Sequence, residues 1–236
     1  MNDNLLKNCL VETGFSLPDN QILLLNNLID STLETNKCFN LTSITNRDEF
    51  IDKMIIDSLF INKYFNFDNL SVLDVGTGAG FPGLPLAIVN PNTRFDLLDS
   101  TKKKIDYINN FNFDNKLDNV HGICARIEDY AHSENRNSYD IVIARAVSSL
   151  NILIELVIPL LKVGGIFIAF KSIRYEEEIN EAQVALRKLN AEIIDVKDDI
   201  LPLSKEKRVF IFIKKVKESP SKFPRSYSLI KKNPLK

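Results

Sequence analysis

The chain is poor in the residues that most often announce chemistry. Among 236 residues there are three cysteines, two histidines and no tryptophan. Cys9, Cys38 and Cys124 are far apart, odd in number and form no C-x-x-C, so neither a disulfide framework nor a thiolate metal site is expected. His121 and His132 have no partner at a metal-ligand spacing, which argues against a zinc enzyme and leaves the metal inventory at none. No uncharged apolar run approaches the ~18 residues that a membrane span requires, and MNDNLLKNCLVETG lacks both a basic segment and an apolar core suited to a signal peptide. The expectation is a soluble cytoplasmic protein. Eight glycines and nine prolines exclude collagen-like or low-complexity chains, while 44% hydrophobic residues suffice for a sizeable core.

A formal net charge of −1 hides an asymmetry. From Lys205 to Lys236 eleven basic residues face Glu206 and Glu218, giving that stretch +9 and leaving −10 for residues 1–204. An acidic body with a basic end points to an anionic partner for the end, or else to lysines that merely solvate an edge strand and a tail.

Residues 1–65 read as helical. The segment 19–37 puts Ile22, Leu25, Leu28, Ile29 and Leu33 on one stripe, behind a Pro18 suited to a helix start. A second helix is expected near Thr45, whose spacing to Asp48 resembles a capping box. Its apolar face holds Phe50, Met54 and Ile61, together with Asp57, a carboxylate better suited to anchoring a neighbouring element than to catalysis.

Over 66–217 the pattern becomes short β-branched runs separated by helix-length segments. The runs 71–75, 94–100, 119–125, 139–144 and 165–170 predict five parallel strands in an α/β sheet covered on both faces. A helix at 174–189 follows, then runs 191–196 and 207–215. About ten residues separate this last pair, too few for a parallel crossover, so an antiparallel terminal pair is expected. Residues 218–236, with three prolines and little periodicity, read as an extended basic tail.

The strongest local signal is VLDVGTGAGFPG at 72–83. A buried strand enters Gly76, Gly78 and Gly80, where backbone must turn sharply and admit a ligand without a Cβ in the way. Gly78 to Gly83 satisfies G-x-G-x-x-G, which would suit a dinucleotide. Asp74 and the antiparallel terminal pair shift the reading away from a nicotinamide cofactor. Asp74, just before the loop, would repel a pyrophosphate but attract the sulfonium and ammonium of S-adenosylmethionine, and Asp99 can accept from both ribose hydroxyls of either ligand.

The loop is similar to motif I of the seven-stranded, Rossmann-like class I methyltransferases that use S-adenosylmethionine. More of the chain resembles one family among them, the bacterial small-subunit (16S) ribosomal RNA guanine-N7 methyltransferases, also called the glucose-inhibited division protein B family. The resemblance is carried by Asn40-Leu41-Thr42, Asp57-Ser58-Leu59, the stretch 74–88, LLDSTKKK (97–104), Ala125-Arg126-Ile127-Glu128, Ala144-Arg145-Ala146-Val147, PLLKVGG before Lys171, and K-F-P-R and K-K-N-P-L near the end. It implies a cofactor site built from Gly76, Thr77, Gly78, Phe81, Asp99, Ile127, Glu128 and Arg145. Asn40, Arg145 and Lys171 are candidates for substrate contact, and no catalytic proton-transfer residue is nominated. Small-subunit RNA is the implied partner, the segment Lys205 to Lys236 its expected contact, and a monomer the expected state. A nucleic-acid-binding protein without catalysis, and a methyltransferase acting on a small molecule or protein, are the alternatives. One departure stands out: the family's histidine three residues before Asp-Ser is Met54 here, to which no role is assigned.

Overall fold

In a computed structural model, residues 3–236 are described, so the first two residues of the 1–65 segment lie outside the described residues. Seven strands form one sheet: β1 (Ser71–Val75), β2 (Arg94–Asp99), β3 (Val120–Cys124), β4 (Tyr139–Arg145), β5 (Leu161–Lys171), β6 (Ala191–Ile200) and β7 (Lys207–Lys215). Their order is β3-β2-β1-β4-β5-β7-β6. The first five strands pair in parallel and β7 is antiparallel to both β5 and β6. The expected terminal hairpin is therefore present, but β7 alone opposes the rest, since β6 runs with the parallel five.

Period-two alternation divides each strand between two cores. Val72, Ile141, Ile143, Ile168, Phe170, Phe210 and Phe212 face the helices Asp3–Glu12, Asp19–Asn36, Gly83–Val89 and Lys102–Asn115. Leu73, Val75, Val142, Ala144, Phe167, Ala169, Val209, Ile211 and Ile213 face the helices Leu150–Val157 and Gln183–Leu189 and the C-terminal residues Phe223, Ile230 and Leu235. The same alternation sorts the charged strand ends. Arg145 and Arg208 fall on the first face, Lys171 and Lys215 on the second.

Three expectations need correction. Asn46, not Thr45, caps the second helical segment, its Oδ1 accepting from Asp48 N at 2.9 Å and Glu49 N at 3.0 Å. That segment then widens into a π-helical stretch, Ile51–Ile56, which rotates Asp57 relative to a regular α-helix. Helix 174–189 is two helices, Tyr175–Glu181 and Gln183–Leu189, meeting at the buried Ala182.

The largest correction concerns the tail, which is packed and not extended. Phe223, Ile230 and Leu235 are buried, a helix spans Tyr227–Lys232, and Arg225 donates to both oxygens of the fully buried Glu155 at 2.7 Å. Arg136 donates to Phe223 O and Ser219 O at 2.8 Å each. The prolines break regular structure, yet Phe223, Tyr227, Ile230 and Leu235 pack on the second core.

Candidate functional site

The order of the parallel strands reverses between β1 and β4, the place where such sheets open a crevice beyond their carboxyl ends. A cleft of about 890 Å³ lies there, lined by Gly76–Ala79 and Phe81, by Arg145–Ser149, by Phe170–Ser172 and by Leu41, Thr42 and Met54 of the N-terminal helical segment.

Gly76, Gly78 and Gly80 all adopt positive φ, at 69°, 62° and 94°. A Cβ on Gly76 would stand 2.6 Å from Val147 Cγ2, whereas one on Gly78 would meet nothing within 4 Å. The amides of Gly76 and Gly78 are already committed, to Leu98 O at 2.8 Å and to Asp99 Oδ2 at 3.0 Å. The loop therefore offers a ligand bare, closely approachable backbone at Gly78 rather than a set of free donors.

Asp74 does not face the cleft. It is wholly buried on the first face, where one oxygen accepts from Thr77 Oγ1 at 2.6 Å and Gly83 N at 2.9 Å while Oδ1 has no partner. Burial pushes its carboxyl up to about 6 against those hydrogen bonds. Its expected attraction for a cationic ligand is corrected to a structural role: it ties the start of the loop to the helix Gly83–Val89.

Asp99 ends β2, beside the cleft. Besides Gly78 N it accepts from Thr101 N at 2.8 Å, and both carboxylate oxygens retain a free lone pair. Ile127 and Glu128 begin the helix Ile127–Ala131 after β3, half-buried, and Glu128 makes no hydrogen bond or ion pair among the described residues. These three do not line the cleft; they follow the carboxyl ends of β2 and β3 on the same edge of the sheet. Arg145, the glycine loop, Asp99 and Ile127-Glu128 follow β4, β1, β2 and β3 in order, a row about 14 Å long from three strand spacings. That row suits a long ligand with a nucleoside at one end and an amino-acid arm at the other, as S-adenosylmethionine is.

Arg145 is spoken for. Its Nη1 donates to Asp57 Oδ2 at 3.1 Å and Lys53 O at 3.2 Å, and its Nη2 lies 3.5 Å from Met54 Sδ. Asp57 also pairs with Arg208 Nε at 3.3 Å, so one buried carboxylate joins the ends of β4 and β7. Met54 thus has a role after all, as a soft neutral acceptor beside the guanidinium. Lys171 is equally engaged, donating to Ser148 O at 2.8 Å and Glu178 Oε2 at 2.6 Å. Asn40 is exposed, next to Leu41 and Thr42 on the rim, whose amides are both received by Asn36 Oδ1.

Sequence reasoning missed Arg208 and Glu178. Arg208 is one of eleven basic residues in a stretch treated as a unit, and Glu178 one of three consecutive glutamates in the expected 174–189 helix, none of them singled out. No local signal marks either one, because their partners lie 151 and 7 positions away on other elements.

Sheet order, a reversed β7 and a glycine loop at the switch point define the class I methyltransferase fold. Solved structures agree: "Crystal structure of M. jannaschii TYW2 in complex with AdoMet" aligns with TM-score 0.57 at 19% identity, over 73% of this chain and 79% of that one. A SAM-dependent methyltransferase from Aquifex aeolicus aligns with TM-score 0.53 at 18% identity, over 70% and 92%. The sequence is more specific. The profile described as rRNA small subunit methyltransferase G matches residues 21–217. Curated proteins named ribosomal RNA small subunit methyltransferase G include one from Alkaliphilus metalliredigens, 37% identical with 98% of both chains covered, and one from Caldicellulosiruptor bescii, 43% identical over 86% of this chain and 87% of that one. The chain belongs to the rRNA small subunit methyltransferase G family.

Proposed function

We propose that the chain transfers the methyl group of S-adenosylmethionine to N7 of a guanosine in 16S ribosomal RNA. The observation that carries this reading is the family match across residues 21–217, supported by the cleft at the switch point of the sheet. Along the row of strand ends Gly76, Thr77, Gly78 and Phe81 would enclose the methionine arm, Asp99 the ribose, and Ile127 with Glu128 the adenine. The cofactor supplies an activated methyl on a cationic sulfur.

Guanine N7 carries an in-plane lone pair and no proton, so alignment and exclusion of water can serve where a general base would otherwise be needed. Neither His121 nor His132 lines the cleft. Arg145 would act from its locked position, as a fixed positive wall over the Phe81 ring, 5.9 Å from the ring centroid. Asn40 remains a rim candidate for RNA.

The basic end needs a finer assignment. Arg225 is consumed by Glu155, Lys207 by Asp198, Arg208 by Asp57 and Glu206, and Lys236 by Glu181. Lys222, Lys231 and Lys232 are exposed with no ion pair among the described residues, so these three are the tail's proposed phosphate contacts. The protein would act as a cytoplasmic monomer; among the described residues no helix is long and apolar enough to cross a membrane.

The test is to map N7-methylguanosine in small-subunit RNA from cells with and without this protein, and to restore the mark in vitro with labelled S-adenosylmethionine. A site present only with the protein is the expected result. An unchanged methylation map refutes the reading.

A further inference from the structure

The segment joining β4 to the helix Leu150–Val157 forms one wall of the cleft through Ala146, Val147, Ser148 and Ser149. Three observations mark it as a strap under constraint. Ala146 holds φ 56°, in the left-handed region that a residue with a Cβ adopts at a cost. Val147 presses on the glycine loop so closely that Gly76 has no room for a Cβ. Ser149, the residue before the helix, gives no side-chain cap, its Oγ donating instead to Asn151 Oδ1 at 2.7 Å.

The missing cap comes from another element. Glu178 Oε2 accepts from Leu150 N at 2.8 Å, the first amide of that helix, and from Lys171 Nζ at 2.6 Å. Lys171 in turn donates to Ser148 O at 2.8 Å. One carboxylate oxygen and one ammonium therefore pin the strap at Ser148 and at Leu150 just beyond its end, across the end of β5. The Lys171 side chain is only 8% exposed, so these bonds form largely out of water, where charge-assisted bonds are strong.

We infer that Glu178, acting together with Lys171, is a positioning residue: it holds the 146–149 strap against Gly76 and thereby sets how tightly the methyl donor is gripped. The inference rests on the proposed function and deepens it. Neither residue need touch the cofactor, and Lys171 moves from a candidate substrate contact to a brace. The strain at Ala146 gives the brace a purpose, because without it the strap can relax away from the loop.

The test combines amide hydrogen exchange of the ligand-free protein with direct calorimetric titration of S-adenosylmethionine. Glu178→Ala is expected to speed exchange at 146–150 and to weaken binding by about tenfold, the scale of one lost charge-assisted bond. Glu178→Gln, which keeps an acceptor oxygen, should recover most of that affinity; Lys171→Met should reproduce the loosened strap from the other side. In a Val147→Ala background, where the strap no longer reaches Gly76, the effect of Glu178→Ala should shrink. Unchanged strap exchange in both Glu178→Ala and Lys171→Met would overturn the inference, as would full cofactor affinity alongside a raised KM for RNA. A wild-type protein that binds no S-adenosylmethionine would instead refute the proposed function, so the two failures are distinguishable.

Discussion

Asp57 and Arg145 form a buried ion pair at 3.1 Å that couples the N-terminal helical segment to the carboxyl end of β4. Because Asp57 also receives Arg208, its removal leaves Arg145 without an ion-pair partner and Arg208 with Glu206 alone, at guanidinium side chains only 12% and 17% exposed. Asp57→Asn should therefore destabilise the fold by about 3 kcal/mol or more, since breaking a buried pair costs far more than forming it gains. Denaturant unfolding checks this. Cofactor affinity should fall too, as Arg145 loses its orientation over Phe81.

The glycine loop separates two effects that sequence alone merges. Gly78→Ala should cost only the roughly 1–2 kcal/mol of a left-handed alanine, since open space surrounds the new Cβ. Gly76→Ala adds a collision with Val147 and should cost clearly more, in both stability and cofactor binding. Combining Gly76→Ala with Val147→Ala should restore part of the loss, which melting temperatures and binding titrations of the three variants will reveal.

Lys215 is fully buried, its ammonium donating to Asn137 Oδ1 at 2.6 Å and Leu161 O at 2.7 Å without a facing carboxylate. Burial, with Arg136 nearby, lowers its pKa from 10.5 to about 8. Between about pH 8 and 10.5 the unfolded chain then binds more protons at this group than the folded one, so this contribution to stability rises with pH. Relative to Lys215→Met, wild type should gain on the order of 2 kcal/mol across that window, read from unfolding curves at pH 7 and 10.5. A flat difference would show that the ammonium is not desolvated.

The tail divides into residues that fold it and residues left over. Arg225→Ala strands the fully buried Glu155 and should destabilise by about 3–5 kcal/mol. Replacing Lys222, Lys231 and Lys232 by Gln should leave the melting temperature unchanged, weaken RNA binding, and reduce the slope of log K against log salt by up to about 3. An unaltered slope would remove the tail from the RNA interface.

The strands, the glycine loop and the terminal hairpin were legible because each is a local pattern: alternation of apolar residues, glycines where φ must turn positive, a gap too short for a crossover. Local patterns also mislead locally. Proline-rich spacing made 218–236 look extended, although Phe223, Ile230 and Leu235 had the apolar character to dock. Asp74, read by position as a ligand for a cationic group, proved to face inward, because strand alternation puts it on the same side as Val72.

The chain's composition, its parallel-sheet alternation and its family resemblance were determined by the sequence itself, as was the −10 and +9 division of charge. Which charges are available was decided only by the tertiary structure. Folding brings Arg145 and Arg208 to one carboxylate, Arg225 to Glu155, and Lys171 to Glu178, and these pairings join elements whose separation in sequence carries no signal. The physical reason is that a charge near a core must be paired or hydrogen-bonded, and its partner is chosen by proximity in the fold. What remains unpaired at the surface, Lys222, Lys231 and Lys232 among it, is the part of the basic end left for the proposed RNA contact.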